Sequence, residues 1–354
     1  MSHLTVVIGS FLEEDLVGRI KDAQPGIRVV YEPDLLPAPR YPCDHTGIPR
    51  DLSQADLERW RALSAEADVY FDFDWLDPAG MPDNSPELRW VQATSAGIGA
   101  LMRRTGLDRR CLEPGVTGHE GLTVTTAAGI HAQPLAEFAV MGALHFVKDV
   151  PLLRRWQRDR HWELYTTRQL AWQRALVIGL GGIGRRVVTL FDALGVEVWG
   201  MGRDDRDYDI PGLTRVVGRR ALDDTLAGTG ILVLACPLTE RTRGLIGPRQ
   251  IDRLPESAVL VNVARGAVVD QAALTDALRD GRLAGACLDV TEPEPLPADD
   301  PLWALENVIL SPHSASTVET ENAALTDLFI DNLARFAGGR PLRNRYDPAR
   351  GYLR

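Results

Sequence analysis

Three charged side chains, Arg265, Glu294 and His313, each follow a short apolar segment in the second half of the chain. They stand in the segments LVNVARGAVVD, LDVTEPEPLP and NVILSPHSAS. A planar guanidinium can bind a carboxylate and an adjacent carbonyl together, and a carboxylate beside a histidine favours the charged form that gives a proton. Such a set suits the reduction of a carbonyl group, where charge grows on oxygen and needs a cation and a proton nearby.

Each of these residues also has an ordinary structural interpretation. Arg265 can form a surface ion pair, Glu294 can be a loop acid, and His313 can begin a helix. Their common placement favours catalysis, because the carboxyl ends of parallel strands meet at one edge of a sheet, where open α/β sheets bind ligands. Of the seven histidines, His313 is the one placed where strand ends converge.

A glycine-rich loop precedes these residues in the chain. In ALVIGLGGIGRRV, Gly179, Gly181 and Gly184 form a GxGxxG directly after an apolar strand and directly before a helix. The first glycine of such a loop makes a tight turn, the second lets the backbone approach a pyrophosphate, and the third lets helix and strand pack closely. The helix N-terminus then favours the anion. The alternative is a glycine turn of purely structural origin, but the strand, turn and helix context favours nucleotide binding.

Two alternating series of strands and helices position these residues. The first hundred residues predict strands at LTVVIGS, IRVVYE, DVYFDFD and LRWVQATS, with helices between them. A long apolar helix at TAAGIHAQPLAEFAVMGALHFV leads into a second series, which ends at NVILSPH and is followed by one helix over roughly 317–337. This order predicts an α/β protein with two doubly wound parallel sheets.

Composition narrows the classes of protein. A chain of 354 residues with 45% hydrophobic content can bury the cores of two domains, and a net charge of -10 argues against nucleic acid or an anionic membrane as a partner. The four cysteines form no CxxC pair, which argues against a disulfide framework or zinc site and favours the cytoplasm. We expect no metal, because the sequence shows no metal-ligand motif. We expect no signal peptide, because a cleavage site is missing. We expect no membrane span, because no segment has the roughly 18 consecutive apolar residues that a span needs.

Two segments fall outside the regular pattern. Residues 33–51 are Pro-dense and predict an irregular excursion, either a lid or a surface loop. Residues 152–174 mix Arg with Trp, a composition that can stack on nucleic-acid bases. Asp159 and Glu163 interrupt this charge, so a solvated arm or a subunit contact is favoured.

The segments VIGLGGIG, CPLTERTRGLIG, LVNVARGAVVD, GACLDVTEPEPLP and NVILSPHSA occur in the order and approximate spacing of the D-2-hydroxyacid dehydrogenase family, which the chain resembles over nearly its whole length. The resemblance implies a flavodoxin-like substrate-binding domain over 1–125 and a Rossmann dinucleotide-binding domain over 126–314. Residues 315–354 return as a helix to the first domain. It further implies an active site between the domains and a homodimer whose contact is built by 152–174 and the helix before it.

The resemblance also implies an activity and individual roles. The activity is reduction of a small 2-keto acid, with glyoxylate or hydroxypyruvate first and a bulkier acid close behind, by hydride transfer from a nicotinamide cofactor. Arg265 binds the carboxylate and keto group, His313 is the acid-base, and Glu294 is its partner. Residues expected to bind the cofactor are Gly179, Gly181, Gly182, Ile183, Gly184, Arg203, Pro237, Thr242 and Asp289, the last on the nicotinamide amide. Residues expected to bind the substrate, besides Arg265, are Phe73, with Asp74 as its alternative, and the backbone of Ser95, Ala96 and Gly97.

Other members of the same fold give alternative readings. Formate dehydrogenases carry Gln as the partner of the histidine, so Glu294 argues against them, and the regulatory domain frequent in phosphoglycerate dehydrogenases does not fit in the roughly forty residues after His313. A methyltransferase with a related glycine loop would leave the three charged residues without a role. A nucleotide-sensing protein of the corepressor type retains the fold and the triad, and turnover of a keto acid distinguishes it from an enzyme.

The segment VWGMGRDD, residues 198–205, bears on which cofactor is bound. The position where NAD-preferring relatives carry a ribose-binding Asp falls on Gly202, which has no side chain to accept from a 2′-hydroxyl. Arg203 follows at once and can pair with a 2′-phosphate. The alternative is an exposed turn arginine, with Asp204 or Asp205 binding the ribose of NAD. We predict NADP, with NAD as the alternative.

Overall fold

The computed structural model describes residues 4–112, 121–204 and 206–353. The strands are β1 Leu4–Ile8, β2 Ile27–Val30, β3 Val69–Phe71, β4 Trp90–Gln92, β5 Thr123–Thr125, β6 Arg174–Ile178, β7 Glu197–Met201, β8 Leu213–Val216, β9 Ile231–Leu234, β10 Val259–Asn262, β11 Gly285–Leu288, β12 Val308–Leu310, β13 Tyr346–Asp347 and β14 Tyr352–Leu353. The α-helices are α1 Glu14–Asp22, α2 Gln54–Ser64, α3 Met81–Asn84, α4 Gly99–Thr105, α5 Leu107–Arg110, α6 Ala132–Val147, α7 Val150–Asp159, α8 Gly182–Ala193, α9 Leu222–Leu226, α10 Pro248–Ile251, α11 Gln271–Arg279 and α12 Glu321–Ala337. Single 3₁₀ turns lie at Leu170–Trp172, Arg219–Ala221, Gly266–Val268 and Pro301–Ala304.

These elements form two compact units. Unit 1 comprises Met1–His131 and Thr317–Arg354, and unit 2 comprises Ala132–Ser316. The boundaries expected from the sequence lie after residues 125 and 314, a few residues earlier in each case. The assignment of unit 1 to the substrate and of unit 2 to the dinucleotide stays a prediction.

The sheet of unit 1 has the order β2-β1-β3-β4-β5, with every strand parallel to its neighbours. This order is that of flavodoxin-like sheets, in which the chain changes direction between β1 and β3. Successive residues of β1 point to opposite faces, so Val6 and Ile8 pack with α1 and α12 while Val7 packs in the cluster on the other face. A strand buried on both faces reads as a continuous apolar run, which explains the amino-terminal sequence TVVI.

The sheet of unit 2 has the order β12-β11-β10-β9-β6-β7-β8 and is also parallel throughout. Its first six strands in chain order, β6 to β11, are arranged as 3-2-1-4-5-6, the Rossmann order, and β12 extends the edge. The prediction of two doubly wound parallel sheets is therefore confirmed.

Several boundaries differ from those expected. The strand predicted through residue 74 ends at Phe71, because Asp72 has a φ of +68° and cannot continue an extended strand. The last helix begins at Glu321 and not near 317, and the hairpin of β13 and β14 follows it. The sequence analysis missed this hairpin, since two-residue strands carry no periodic signal.

The Pro-dense excursion over 33–51 is ordered by its own contacts. An antiparallel bridge joins Ala38 to Ile48, and the Asp44 carboxylate accepts hydrogen bonds from Arg40 and from the Gly47 N–H. Burial raises the pKa of Asp44, but the bonds from Arg40 and Gly47 outweigh it and lower that pKa to about 2.

Among the described residues, no helix combines the length and the apolar character that a membrane crossing requires.

Candidate active site

The loop between β6 and α8 has the geometry of a dinucleotide-binding turn. Gly179 has a φ of +102°, and a Cβ there would lie 2.6 Å from the carbonyl carbon and oxygen of Ala235. A Cβ on Gly184 would overlap the Gly179 carbonyl oxygen. Gly179 is required by the tight turn, and Gly184 is required by the close packing of the helix on the strand.

The space in front of this loop is open. No heavy atom lies within 4 Å of a Cβ built on Gly181; Gly181 and Gly182 are exposed, and Ile183 is partly buried. The first N–H groups of α8, which lack partners inside the helix, face the loop end. Free amide donors, the positive end of a helix dipole and the absence of a side chain fit the diphosphate of a dinucleotide.

At the end of β7, the ring of Tyr208 fills the space beside Gly202. A Cβ on Gly202 would overlap this ring. The Tyr208 hydroxyl accepts a hydrogen bond from the Asp204 N–H at 3.3 Å, and the guanidinium of Arg206 lies 5.1 Å from the ring centroid. An acidic side chain at position 202 therefore has no room while Tyr208 keeps this place.

Arg203 is half-exposed and close to one of the two competing acids. Its Nε donates to the Asp204 carboxylate at 3.1 Å. Arg203, which is expected to bind the 2′-phosphate of NADP, is thus paired with Asp204, one of the two acids that could bind the ribose of NAD instead. Asp205, the other alternative, lies outside the described residues.

Glu294 and His313 form a hydrogen-bonded pair. The His313 Nδ1 lies 3.0 Å from Glu294 Oε2, and the side chains are 43% and 38% exposed. The second carboxylate oxygen, Oε1, accepts from the Thr291 N–H at 3.1 Å. The carboxylate is therefore fixed at both oxygens and orients the imidazole, so that Nε2 is the ring nitrogen available for proton exchange.

Asp289 holds the turn that carries His313. His313 has a φ of +55°, uncommon for a residue with a side chain. Its N–H donates to the Asp289 carbonyl at 2.9 Å, while the Asp289 Oδ1 accepts from the Ser311 hydroxyl at 2.7 Å and from the Ala315 N–H at 2.9 Å. Asp289 is buried, and its expected contact with the nicotinamide amide stays a prediction.

Arg265 lies on a tight turn after β10. Asn262 closes this turn, since its Nδ2 donates to the Arg265 carbonyl at 3.1 Å and its Oδ1 accepts from the Ala264 N–H at 3.0 Å. The guanidinium donates to the Ala264 carbonyl at 2.6 Å. A Cβ on Gly266 would overlap the Thr291 carbonyl, so the turns that carry Arg265 and Glu294 pack against each other.

A third turn at this edge follows β9, the neighbour of β6 in the sheet. The Thr242 hydroxyl donates to the Pro237 carbonyl at 2.7 Å and accepts from the Thr239 N–H at 2.8 Å. Pro237 is exposed and Thr242 partly so. Because this turn follows the strand next to β6, it lies on the same sheet edge as the glycine loop. The contact of Pro237 and Thr242 with the cofactor stays a prediction.

The residues expected to bind the substrate carboxylate lie in unit 1. Ser95, Ala96 and Gly97 form an exposed turn between β4 and α4. Within residues 4–112, 121–204 and 206–353, none of their three N–H groups donates a hydrogen bond. Successive unpaired backbone donors are the arrangement that binds an anion.

Phe73 and Asp74, the two candidates for the substrate side-chain position, are both buried. Phe73 is 1% exposed and packs edge-on against Trp75, with ring centroids 5.9 Å apart. The Asp74 carboxylate accepts from the Trp60 indole at 3.1 Å and from the Leu76 N–H at 3.0 Å, and burial raises its pKa. Asp74 is thus occupied by structural contacts, and Phe73 with Trp75 remains the candidate for a contact with the substrate.

Among the described residues, no group of three or more His, Cys, Asp or Glu side chains is arranged to hold a metal ion.

Comparisons with known proteins extend these observations. The model of the D-isomer specific 2-hydroxyacid dehydrogenase NAD binding domain matches residues 140–315. A glyoxylate reductase of Aeropyrum pernix is 34% identical over 78% of this chain and 81% of its own length. A glyoxylate/hydroxypyruvate reductase A of Salmonella newport is 30% identical over 86% of this chain and 94% of its own. The crystal structure of a D-isomer specific 2-hydroxyacid dehydrogenase from Xanthobacter autotrophicus, in complex with NADPH and MES, has a TM-score of 0.77 and 31% identity over 99% of this chain and 100% of that chain.

Proposed function

Because the chain belongs to the D-isomer specific 2-hydroxyacid dehydrogenase family, we propose that it reduces a small 2-keto acid to the D-2-hydroxy acid with NADPH. The observation that carries this proposal is the pairing of Glu294 with His313 at 3.0 Å, beside the turn of Arg265. A fixed cation and an oriented proton donor at one sheet edge are the two groups that carbonyl reduction requires.

In the proposed reaction one residue of this chain stabilises charge and another transfers a proton. The nicotinamide, when bound, supplies the hydride to the keto carbon. Arg265 binds the carboxylate and the keto oxygen through its planar donors and offsets the charge that grows on that oxygen. His313 gives its proton from Nε2 to the same oxygen, while Glu294 keeps the ring in place. In the reverse direction His313 takes the proton back.

The direct test of the proposed function is a panel of 2-keto acids, followed by the loss of NADPH absorbance. Glyoxylate and hydroxypyruvate are expected to be the best substrates, since relatives that carry those names are 30% or more identical. The proposed substrate side-chain position, beside Phe73 and Trp75, is apolar, so pyruvate and a bulkier keto acid belong in the panel. A chain that binds NADPH and reduces none of these acids would contradict the proposal and favour a sensing role.

The preference for NADPH depends on Arg203. We expect the native protein to use NADPH better than NADH, and Arg203→Ala to lower kcat/KM with NADPH by roughly 10-fold or more, because a charge-assisted bond to the 2′-phosphate is lost. Turnover with NADH is expected to be unchanged. The measurement is the ratio of the two efficiencies at fixed ionic strength, since screening weakens the contact.

Two further variants make this experiment specific. Arg249→Ala removes an exposed arginine of the same unit that is paired with Asp223, and it is expected to leave the ratio as it is. Asp204→Ala removes the contact between Asp204 and Arg203 and is expected to raise the preference for NADPH. A native enzyme that favours NADH, or a ratio indifferent to Arg203, would show that the acids bind the ribose.

We also propose that the protein is a homodimer through the segment over 152–174. Helix α7 buries none of its residues, and the segment after it exposes 95% of Trp162 and 93% of Leu164. Large apolar side chains exposed together mark an interface. Light scattering at micromolar concentration is expected to give the mass of two chains, and Trp162→Glu with Leu164→Glu to shift it toward one. A native monomer would refute the proposal.

The cytoplasmic location expected from the sequence remains a proposal, supported by the four cysteines, which are all free.

A further inference from the structure

A buried carboxylate lies beneath the exposed turn of Ser95, Ala96 and Gly97. Asp72 directly follows β3 and is 1% exposed. Its Oδ1 accepts a hydrogen bond from the Thr94 N–H at 3.4 Å, and its Oδ2 accepts from the Trp75 indole at 2.8 Å. Thr94 is the residue immediately before the exposed turn, so one side chain connects the end of β3 to the start of that turn.

The backbone of Asp72 is fixed in the same place. Its φ of +68° lies in the left-handed region, which costs free energy for a residue with a side chain but is better tolerated by Asp than by most. Its N–H donates to the carbonyl of Gln92, the last residue of β4, at 2.7 Å. Strain of this kind persists where the surrounding contacts fix it, and it concentrates at functional sites.

The same carboxylate also orients an aromatic pair. The indole that donates to Asp72 belongs to Trp75, whose ring packs edge-on against Phe73 at 5.9 Å, with planes inclined by 72°. Asp72 therefore bonds on one side to Thr94, the residue before the turn expected to bind a carboxylate, and on the other to Trp75, which packs against Phe73.

We propose that Asp72 is a positioning residue that sets the place of the carboxylate-binding turn relative to the Phe73 and Trp75 pair. This inference rests on the proposed function, because the turn has a ligand only if the substrate is a carboxylic acid. Asp72 itself does not touch the substrate: an anion beside the substrate carboxylate would repel it, and this side chain is buried and engaged by two donors.

A graded set of variants tests the role of Asp72. In Asp72→Ala both bonds are lost, and the KM of the keto acid is expected to rise roughly 10-fold or more with kcat largely retained, because the turn contacts the carboxylate equally in the ground and transition states. Asp72→Asn keeps one acceptor oxygen and is expected to fall between this variant and the native enzyme. Asp72→Asn also serves if Asp72→Ala does not fold, because it leaves the ring of Trp75 in place against Phe73.

Asp74 provides the matched control. It is the same residue type, two positions away and 3% exposed, yet its carboxylate bonds to Trp60 and Leu76 and not to the turn. Asp74→Asn is expected to lower the melting temperature without a comparable rise in KM. In all variants the Kd for NADPH, measured by fluorescence titration, is expected to stay unchanged, since the glycine loop lies in unit 2.

The outcomes separate this inference from the function on which it rests. A native enzyme that reduces no keto acid would overturn both. An active native enzyme whose KM is unchanged in Asp72→Ala, or is raised equally in Asp74→Asn, would overturn only the role of Asp72. A graded rise in KM from Asp72→Asn to Asp72→Ala, with NADPH binding retained, would support it.

Discussion

Replacing His313 with alanine is expected to lower kcat by roughly 10²- to 10⁴-fold, the contribution usual for a positioned acid-base group. In the proposed mechanism the keto oxygen receives its proton from Nε2 of His313, whose ring is oriented by the contact of Nδ1 with Glu294. The Kd for NADPH is expected to stay the same, because the glycine loop depends on Gly179 and Gly184 and not on His313. Stopped-flow turnover together with fluorescence titration of the nucleotide measures both quantities.

The chain contains a matched control for this substitution. His161 pairs with Glu163 at 2.8 Å, is 47% exposed and lies in the same unit, so His161→Ala removes a similar histidine and carboxylate contact away from the sheet edge. It is expected to leave turnover as in the native enzyme. Glu294→Ala is expected to lower kcat less than His313→Ala, since the imidazole remains but loses its orientation. Unchanged turnover in His313→Ala would end the assignment of the acid-base.

The sequence predicts those parts of the molecule that follow from periodicity and from motifs. Buried strands such as β1 and β10 appear as apolar runs, and the GxGxxG loop identifies β6 and α8 because only glycine satisfies the turn and the close packing there. The resemblance to the D-2-hydroxyacid dehydrogenase family implies that Glu294 is the partner of His313, and the structure places the two side chains within hydrogen-bond distance.

The residues that hold the motif residues in place could not be predicted in this way. Asn262 makes two hydrogen bonds within the turn of Arg265. The Ser311 hydroxyl donates to Asp289, and the Thr291 N–H donates to Glu294. No spacing rule describes such bonds.

Two effects of backbone and side-chain geometry lay outside sequence patterns as well. The end of β3 at Phe71 follows from the left-handed backbone of Asp72, which a pattern of alternating residues does not reveal. The place of Tyr208 beside Gly202 follows from a loop, whose course periodicity does not define.

Replacing Arg265 with alanine is expected to weaken the binding of the keto acid and to leave the binding of the nucleotide unchanged. Removing one partner of a close charge pair costs about 2–5 kcal/mol, which corresponds to a fall in kcat/KM of roughly 30- to several thousand-fold. Both kcat and KM are expected to change, because the proposed role of Arg265 is to bind the carboxylate in the ground state and the growing charge in the transition state. Steady-state kinetics on the best keto acid of the panel gives kcat and KM separately.

Lysine at position 265 separates charge from geometry. Asn262 closes the turn and Gly266 packs it against the Thr291 carbonyl, so Arg265→Lys is expected to fold with the ammonium in the same region. It restores a point charge but not the planar pair of donors, so we expect KM to recover partly and kcat to remain well below the native value. Arg279→Ala, which removes an exposed arginine paired with Asp276 in the same unit, is expected to leave both unchanged. Full rescue by lysine would mean that charge alone binds the substrate, and the carboxylate and keto oxygen would then not be held together by the guanidinium.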